Sequence, residues 1–127
     1  MLRFSEFWPV YLRHHSRGGT RAAHYAATGI GILGLAIAIS PVAPWWAFAC
    51  AILLSYLTAF SAHWLIEHNQ PVVVRGPHLM LFGALADLRM CLLALSGRLA
   101  AEYERLGLRA AKPARRLASR LTGTTGR

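Results

Sequence analysis

Charged residues are absent from a long apolar stretch in the first half of the chain. No Lys, Arg, Asp or Glu occurs between Ala22 and Ile66, which is unusual for a water-soluble fold. At roughly 20 residues per bilayer crossing, this stretch is long enough for two membrane-spanning helices. Residues 40–44 contain two prolines, and the segment is too short to do more than reverse the chain. The pattern therefore predicts an antiparallel helical hairpin with spans at 22–39 and 45–66.

Small residues recur at helical spacing along both predicted spans. They are Ala27, Gly31, Gly34 and Ala38 on the first span and Ala51, Ser55 and Ala59 on the second. Small side chains allow two helices in a membrane to approach closely. We therefore expect these two rows to form the contact inside the hairpin.

An aromatic segment precedes the hairpin, within residues 1–21. Its aromatic residues recur at the spacing of one helical face, and they are Phe4, Phe7, Trp8 and Tyr11. Charged and polar side chains lie on other faces of the same segment. The pattern predicts a short amphipathic helix lying at the membrane interface.

A third apolar stretch, residues 79–96, carries Asp87 and Arg89 near its middle. A charged side chain at the bilayer centre costs roughly 3 kcal/mol on insertion scales. A simple crossing is therefore unfavourable, and we expect a re-entrant or interfacial helix, or one packed against the hairpin. Asp87 and Arg89 would then pair with each other or with the hairpin.

The last segment, residues 97–127, is predicted to be a basic helix on the membrane surface. The chain as a whole is predicted to be a single all-α membrane domain: an interfacial helix, a two-span hairpin, a third re-entrant or interfacial apolar helix, and this basic helix.

The two cysteines of the chain do not indicate a cross-link or a metal site. Cys50 and Cys91 lie among apolar residues and are expected to be packing residues, not a disulfide or a metal pair.

Positive charge indicates how the chain is oriented. Arg3, Arg13, Arg17 and Arg21 precede the first span, Arg75 follows the second, and the loop at 40–44 has none. The positive-inside rule therefore predicts that both ends of the hairpin are cytoplasmic. Keeping the basic residues of 97–127 on the same side requires that the third stretch does not cross once. We expect an integral protein of a bacterial inner membrane with both termini in the cytoplasm.

Composition agrees with this class, because 55% of the residues are hydrophobic and the mean hydropathy is +0.38. The net charge of +9 could indicate nucleic-acid binding. The basic residues, however, flank apolar spans and do not form one soluble surface. We assign the charge to membrane orientation and to attraction of anionic lipids, and expect no nucleic-acid partner.

Two histidines, His24 and His63, mark the ends of the uncharged stretch. At about 1.5 Å per residue they lie roughly 24 and 28 Å from the turn, so we expect them at nearly the same depth. Each also continues the row of small residues on its own helix at the same spacing. Both can therefore face the contact between the two helices.

Further candidate metal ligands lie close to these two histidines. Glu67 follows His63 by one helical turn, so one metal ion could be held by both side chains. His14 and His15 end the aromatic segment, a short loop before His24. Several histidines and one carboxylate beside an apolar cavity suit Fe(II), because the two-His-one-carboxylate arrangement leaves positions open for O2 and substrate. Zinc hydrolysis is less favoured, since no His-Glu-x-x-His sequence is present.

At these residues the sequence resembles a known family. The segments that carry the resemblance are FWPVYLRHH at 7–15, TRAAH at 20–24, TG at 28–29, HWLIEHNQP at 63–71 and DLRM at 87–90. They look like the small membrane family of 2-hydroxy fatty acid dioxygenases, over about residues 4 to 105. The motifs occur in the order of the family, and none of them is diagnostic alone.

The resemblance implies an Fe(II)-dependent enzyme that uses O2 to shorten a 2-hydroxy fatty acid by one carbon in α-oxidation. It implies histidine ligands for the iron, which carry over to His15, His24 and His63. Glu67 would be a fourth ligand or a partner of one of the three. His14 is the alternative to His15, because the family has a single histidine where this chain has two.

The physical chemistry of such a substrate is compatible with this site. The tail of a 2-hydroxy fatty acid belongs in lipid, while its carboxylate and hydroxyl belong at the interface, where a metal could chelate both oxygens. Arg13, Arg21 or Arg89 could hold the carboxylate. The alternative function is a non-enzymatic membrane scaffold or partner-binding subunit, which would explain the small-residue rows and the basic tail equally well. A homo-oligomer is compatible with either function.

Overall fold

A computed structural model describes residues 3–76 and 78–108 of the chain. These residues form helices joined by short loops, with no strand among them, so the all-α fold class is confirmed. The elements are α1 (Phe4–Arg13), α2 (Gly18–Ala38), α3 (Trp45–Ala62), a π-helix that continues α3 over His63–Glu67, a 3-10 turn (Val72–Arg75), α4 (Leu79–Leu95) and α5 (Leu99–Arg105). The predicted basic tail, 97–127, includes α5, and its residues from 109 onward lie outside the described part.

Helices α2 and α3 form the expected antiparallel hairpin, with small residues at their contact. A Cβ atom placed on Gly34 would lie 2.6 Å from the Ala51 Cβ atom, so the backbones approach too closely for a side chain at Gly34. Farther along the same contact, the Ser55 hydroxyl donates a 2.7 Å hydrogen bond to the Ala27 carbonyl. The structure thus confirms the predicted contact between the two rows of small residues.

The outer surface of the hairpin is apolar and exposed. Ile32 is 59% exposed and Leu53 is 60% exposed, a distribution typical of helices that face lipid. By length and composition, Trp45–Glu67 could cross a membrane, and α4 with α5 would count as a second candidate only as a pair bent by 116°. Helix α2, which covers all but the last residue of the predicted span 22–39, does not meet this criterion among the described residues.

Helix α1 packs against α4 and α5 through its aromatic face. Phe7 and Trp8 are each 2% exposed, and the Phe7 ring lies 5.7 Å from that of Phe82 on α4. The Trp8 indole donates a 2.7 Å hydrogen bond to Glu102 on α5. The aromatic face that was predicted to contact the membrane interface is therefore buried in protein, since α4 and α5 cover it.

Helix α4 packs against α1, α2 and the 3-10 turn. Packing against the hairpin, one of the arrangements predicted for this third apolar stretch, is therefore observed. Gly83 of α4 lies close to Val73 of the 3-10 turn in this interface. A Cβ atom on Gly83 would lie only 2.7 Å from the Val73 Cγ1 atom. This packing brings α4 beside the ends of α2 and α3 at which His24 and His63 lie.

Candidate metal centre

Three buried histidines from three separate parts of the chain meet at the end of the hairpin. His15 follows α1, His24 lies in α2 and His63 begins the π-helix, and they are 1%, 7% and 3% exposed. Their ring centroids are 4.3, 4.7 and 5.2 Å apart. One ring nitrogen from each lies within 4.8 Å of the other two. The prediction that His24 and His63 lie at the same depth is therefore confirmed.

Each of the three rings is held by a hydrogen bond at its Nδ1 atom. The distances are 2.7 Å from His15 to the Tyr11 carbonyl, 2.9 Å from His24 to the Asp87 carboxylate and 2.8 Å from His63 to the Asn69 Oδ1 atom. Since all three partners are acceptors, each Nδ1 carries a proton, and in the neutral ring Nε2 then keeps its lone pair. Such bonds to the remote ring nitrogen are the usual support of metal-binding histidines.

The free Nε2 atoms fit a divalent transition metal. The Nε2 atoms of His15 and His24 lie 3.1 Å apart, a distance at which two lone pairs repel unless a proton or a metal ion lies between them. Two nitrogens at about 2.0–2.1 Å from one ion are separated by about 3 Å or slightly more. Burial and the neighbouring His24 ring hold the pKa of His15 well below its ordinary value, so this ring is neutral at pH 7. Three neutral imidazoles accept several metals, iron and zinc among them.

An irregular turn at the end of α3 positions His63. The chain continues as a π-helix over His63–Glu67, a form that often occurs at functional sites. His68 then adopts a left-handed conformation with φ of 58°, which turns the chain back so that Asn69 reaches His63. The Asn69 Nδ2 atom donates to the His14 carbonyl at 3.4 Å, and this leaves its Oδ1 atom directed at His63.

Glu67, predicted to share a metal with His63, binds the beginning of α2 instead. Its carboxylate accepts hydrogen bonds from the Ser16 amide at 2.9 Å and hydroxyl at 2.5 Å, from the Arg17 amide at 3.2 Å and from the Thr20 hydroxyl at 2.6 Å. A carboxylate in this position caps the helix and interacts favourably with its dipole. These four donors draw Glu67 away from the ring nitrogens, and the structure does not bring it into the histidine cluster.

Asp87 is the carboxylate that reaches the histidines. Its Oδ1 atom accepts hydrogen bonds from the Tyr11 hydroxyl and from His24 Nδ1, both at 2.9 Å, and the Thr28 hydroxyl donates to its Oδ2 atom. Of the two pairings predicted for Asp87, the structure shows the one with the hairpin and not the one with Arg89. The sequence indicates a charge in an apolar helix and a pairing with the hairpin, but it does not indicate which residues of the hairpin are the partners.

The remaining candidates lie outside the cluster. The ring of His14, the alternative to His15, bonds the carbonyl of Val10 through Nδ1 at 2.9 Å. The structure therefore brings His15, and not His14, to the other two histidines. This choice follows from position, because His15 falls on the buried side of the turn after α1 and His14 does not.

None of the three arginines predicted to hold the substrate carboxylate lines the cavity that opens beside the histidines. Arg13 is exposed. Arg21 donates to two backbone carbonyls of the turn after α1, at 3.0 and 2.6 Å. Arg89 lies over the Trp8 ring, 4.6 Å from its centroid, and donates to Glu102 at 3.1 Å. The contacts of Arg21 and Arg89 hold their guanidinium groups away from the histidines.

A cavity of about 240 Å³ opens beside the histidines, between α3 and α4. The end at the histidines is polar, because Tyr11 and Asp87 line it together with the three rings. The rest of the wall is mainly apolar, with Ile52, Tyr56 and Phe60 from α3 and Met80, Gly83 and Ala84 from α4. The cavity thus offers a metal-binding end and an apolar end to one ligand.

Comparison with known proteins agrees with the motifs described above. A family model described as 2-hydroxy-palmitic acid dioxygenase Mpo1-like matches residues 1–99, a range that includes α1 to α4. The search of curated proteins found no match, and neither did the search of solved structures. Because the family match covers most of the chain and includes all three clustered histidines and Asp87, the protein belongs to the Mpo1-like family of 2-hydroxy-palmitic acid dioxygenases.

Proposed function

We propose that this protein is an Fe(II)-dependent dioxygenase that shortens 2-hydroxy fatty acids by one carbon at the cytoplasmic face of a membrane. The observation that carries the proposal is the convergence of three buried histidines whose Nδ1 atoms are all bonded to protein oxygens. This arrangement leaves the three Nε2 atoms available to one metal ion, and one ring nitrogen from each histidine lies within 4.8 Å of the other two. Membership of the family adds the class of substrate.

His15, His24 and His63 would hold the iron. When bound, iron supplies the O2 chemistry that no side chain of the cavity can supply. Three protein ligands leave coordination positions for the substrate and for O2. Glu67 serves the site indirectly in this proposal, because its cap on α2 fixes the end of α3 to the start of α2 and so fixes the position of His24 relative to His63.

The two ends of the cavity match the two ends of a 2-hydroxy fatty acid. The carboxylate and 2-hydroxyl would lie at the histidines, and the tail would follow the apolar wall formed by residues such as Ile52 and Met80. A volume of about 240 Å³ is below the roughly 300–1,000 Å³ of most small-molecule sites. The cavity would therefore hold the head group and the first carbons, while the rest of the tail extends between α3 and α4 into lipid.

The proposal includes a placement in the membrane. The exposed apolar surface of the hairpin and the candidate span at Trp45–Glu67 support an integral location. We infer that both helices of the hairpin cross a bacterial inner membrane, with the histidine cluster and both termini on the cytoplasmic side, where the arginines before α2 can contact anionic lipids. The substrate head group would then lie at the interface and its tail in the bilayer.

The test is metal content together with O2 uptake. Anaerobically purified wild type should carry about one iron per chain and consume O2 with 2-hydroxy palmitate, because three ligands suffice to hold the ion. His24→Ala and His63→Ala should lose both properties. His14→Ala is the matched control, since it removes a neighbouring histidine outside the cluster, and it should retain both.

Circular dichroism of the four proteins separates loss of metal from loss of fold. Equally low iron in wild type and in the cluster variants, with no O2 uptake, would refute the proposed function. Retention of zinc in place of iron by a protein that still fails to consume O2 would refute the redox chemistry while keeping a metal site.

A further inference from the structure

Asp87 carries the only carboxylate among the described residues that line the cavity, and no lysine or arginine lines it. It lies in the middle of an apolar helix, where an ionised side chain is costly unless it has partners. Tyr11, His24 and Thr28 all donate hydrogen bonds to it. These bonds stabilise the half-buried carboxylate, which is not one of the three proposed ligands.

We propose that Asp87 positions His24 for metal binding and supplies the single negative charge that limits the loaded centre to one monoanionic ligand. The proposal rests on the metal centre described above. It concerns the charge of the site and the orientation of a ligand, and it adds no further ligand to the three histidines.

The positioning role follows from the hydrogen bonds of the carboxylate. Hydroxyl groups from two different helices, Tyr11 on α1 and Thr28 on α2, hold it in one orientation. From there it accepts the Nδ1 proton of His24 at 2.9 Å, which fixes both the tautomer and the plane of the ring. Tyr11 connects this arrangement to His15, since its ring stacks on the His15 ring with centroids 4.0 Å apart and its carbonyl accepts the His15 Nδ1 proton.

The charge role follows from the charge of the ligands, because imidazole rings bind a metal ion in their neutral form. A divalent ion held by three neutral rings keeps its full charge of +2, and Asp87 offsets one unit of it. The remaining unit lies against a mainly apolar wall, where an unbalanced charge is unfavourable. A single monoanion, such as a 2-hydroxy carboxylate, would bring the site to neutrality. A neutral ester would leave the site with a net positive charge, and a second monoanion would give it a net negative charge.

The experiment uses the full chain in detergent, with Co(II) as a spectroscopic metal probe and azide as a small monoanion. Asp87→Asn removes the charge but keeps the shape and an oxygen that can accept the His24 proton. We expect its Co(II) affinity to fall by about 10- to 100-fold, as for other residues that support metal ligands. Azide should bind the Co(II)-loaded variant about tenfold or more tightly than it binds the loaded wild type, because the site then carries an extra positive charge.

Glu102→Gln is the matched control, because it neutralises a carboxylate that bonds Trp8, Arg89 and Arg105 and no histidine. It should leave Co(II) and azide affinities unchanged. Equal affinities in Asp87→Asn and wild type would overturn this inference while leaving the metal centre intact. Failure of the wild type to bind Co(II) would overturn both.

A second variant keeps the inference testable if Asp87→Asn does not fold. Thr28→Val removes one hydrogen bond to the carboxylate without changing its charge. We expect a several-fold loss of Co(II) affinity with unchanged azide affinity, since only the positioning role is weakened. Wild-type Co(II) affinity in this variant would contradict the positioning role.

Discussion

The close approach of α2 and α3 makes a quantitative prediction about two glycines of the same helix. A Cβ on Gly34 would lie 2.6 Å from the Ala51 Cβ atom, about 0.8 Å inside an ordinary contact of 3.4 Å, whereas a Cβ on Gly29 would meet nothing within 4 Å. Gly34→Ala must therefore push the helices apart, and overpacking of this kind costs about 1–3 kcal/mol. Gly29→Ala should instead stabilise the protein by up to about 1 kcal/mol, because alanine favours helix.

Thermal or denaturant unfolding in the same detergent compares the two variants directly. Gly34→Ala should unfold at a lower temperature than wild type, and Gly29→Ala at an equal or higher one. Metal binding in folded Gly34→Ala should be preserved, since Glu67 fixes the histidine end of the hairpin independently. Equal stability of the two variants would refute the close contact of α2 and α3. Loss of metal binding in folded Gly34→Ala would refute the independence of the histidine end.

Two further predictions concern side chains that support the fold and the cluster. Hydrogen bonds from Arg105 and Trp8 hold the pKa of Glu102 at about 2, below its ordinary 4.5, so its contribution to stability is complete above about pH 4.5 and is lost as the pH falls toward 2. We therefore expect the difference in unfolding free energy between wild type and Glu102→Gln to become smaller as the pH falls from 6 to about 3. A difference that does not change with pH would contradict the lowered pKa of Glu102. Asn69→Ala removes the acceptor that fixes the His63 tautomer and should weaken Co(II) binding by about tenfold. Calorimetric titration with Co(II) measures this loss, and wild-type affinity would show that Asn69 does not orient His63.

The hairpin and the meeting of His24 with His63 could be predicted because both depend on local regularities. The missing charges fix the length of the helices, the prolines fix the turn, and the rise per residue then fixes the depth of each histidine. The rows of small residues indicate which faces meet. These features need no knowledge of α1 or α4, and the structure agrees with them.

The carboxylate of the site could not be predicted in the same way. The spacing of His63 and Glu67 indicates a shared face, but it does not reveal that amides and hydroxyls of the preceding loop compete for Glu67. Asp87 lies 63 residues from its partner His24, and no periodicity relates them. The sequence could not predict the burial of Trp8 for a similar reason. An apolar helical face has the same sequence pattern whether lipid or protein covers it.

Burial of the three imidazoles explains why the site needs helices outside the hairpin. A buried ring with an unpaired N–H group is costly, and the hairpin supplies an Nδ1 acceptor for none of the three rings. Those acceptors come from Tyr11 on α1, Asp87 on α4 and Asn69 after the π-helix. Helices α1 and α4 therefore do more than cover the hairpin: they set the tautomers of His15 and His24 and, with Asn69, hold three rings whose nitrogens lie within 4.8 Å of one another beside a mainly apolar cavity.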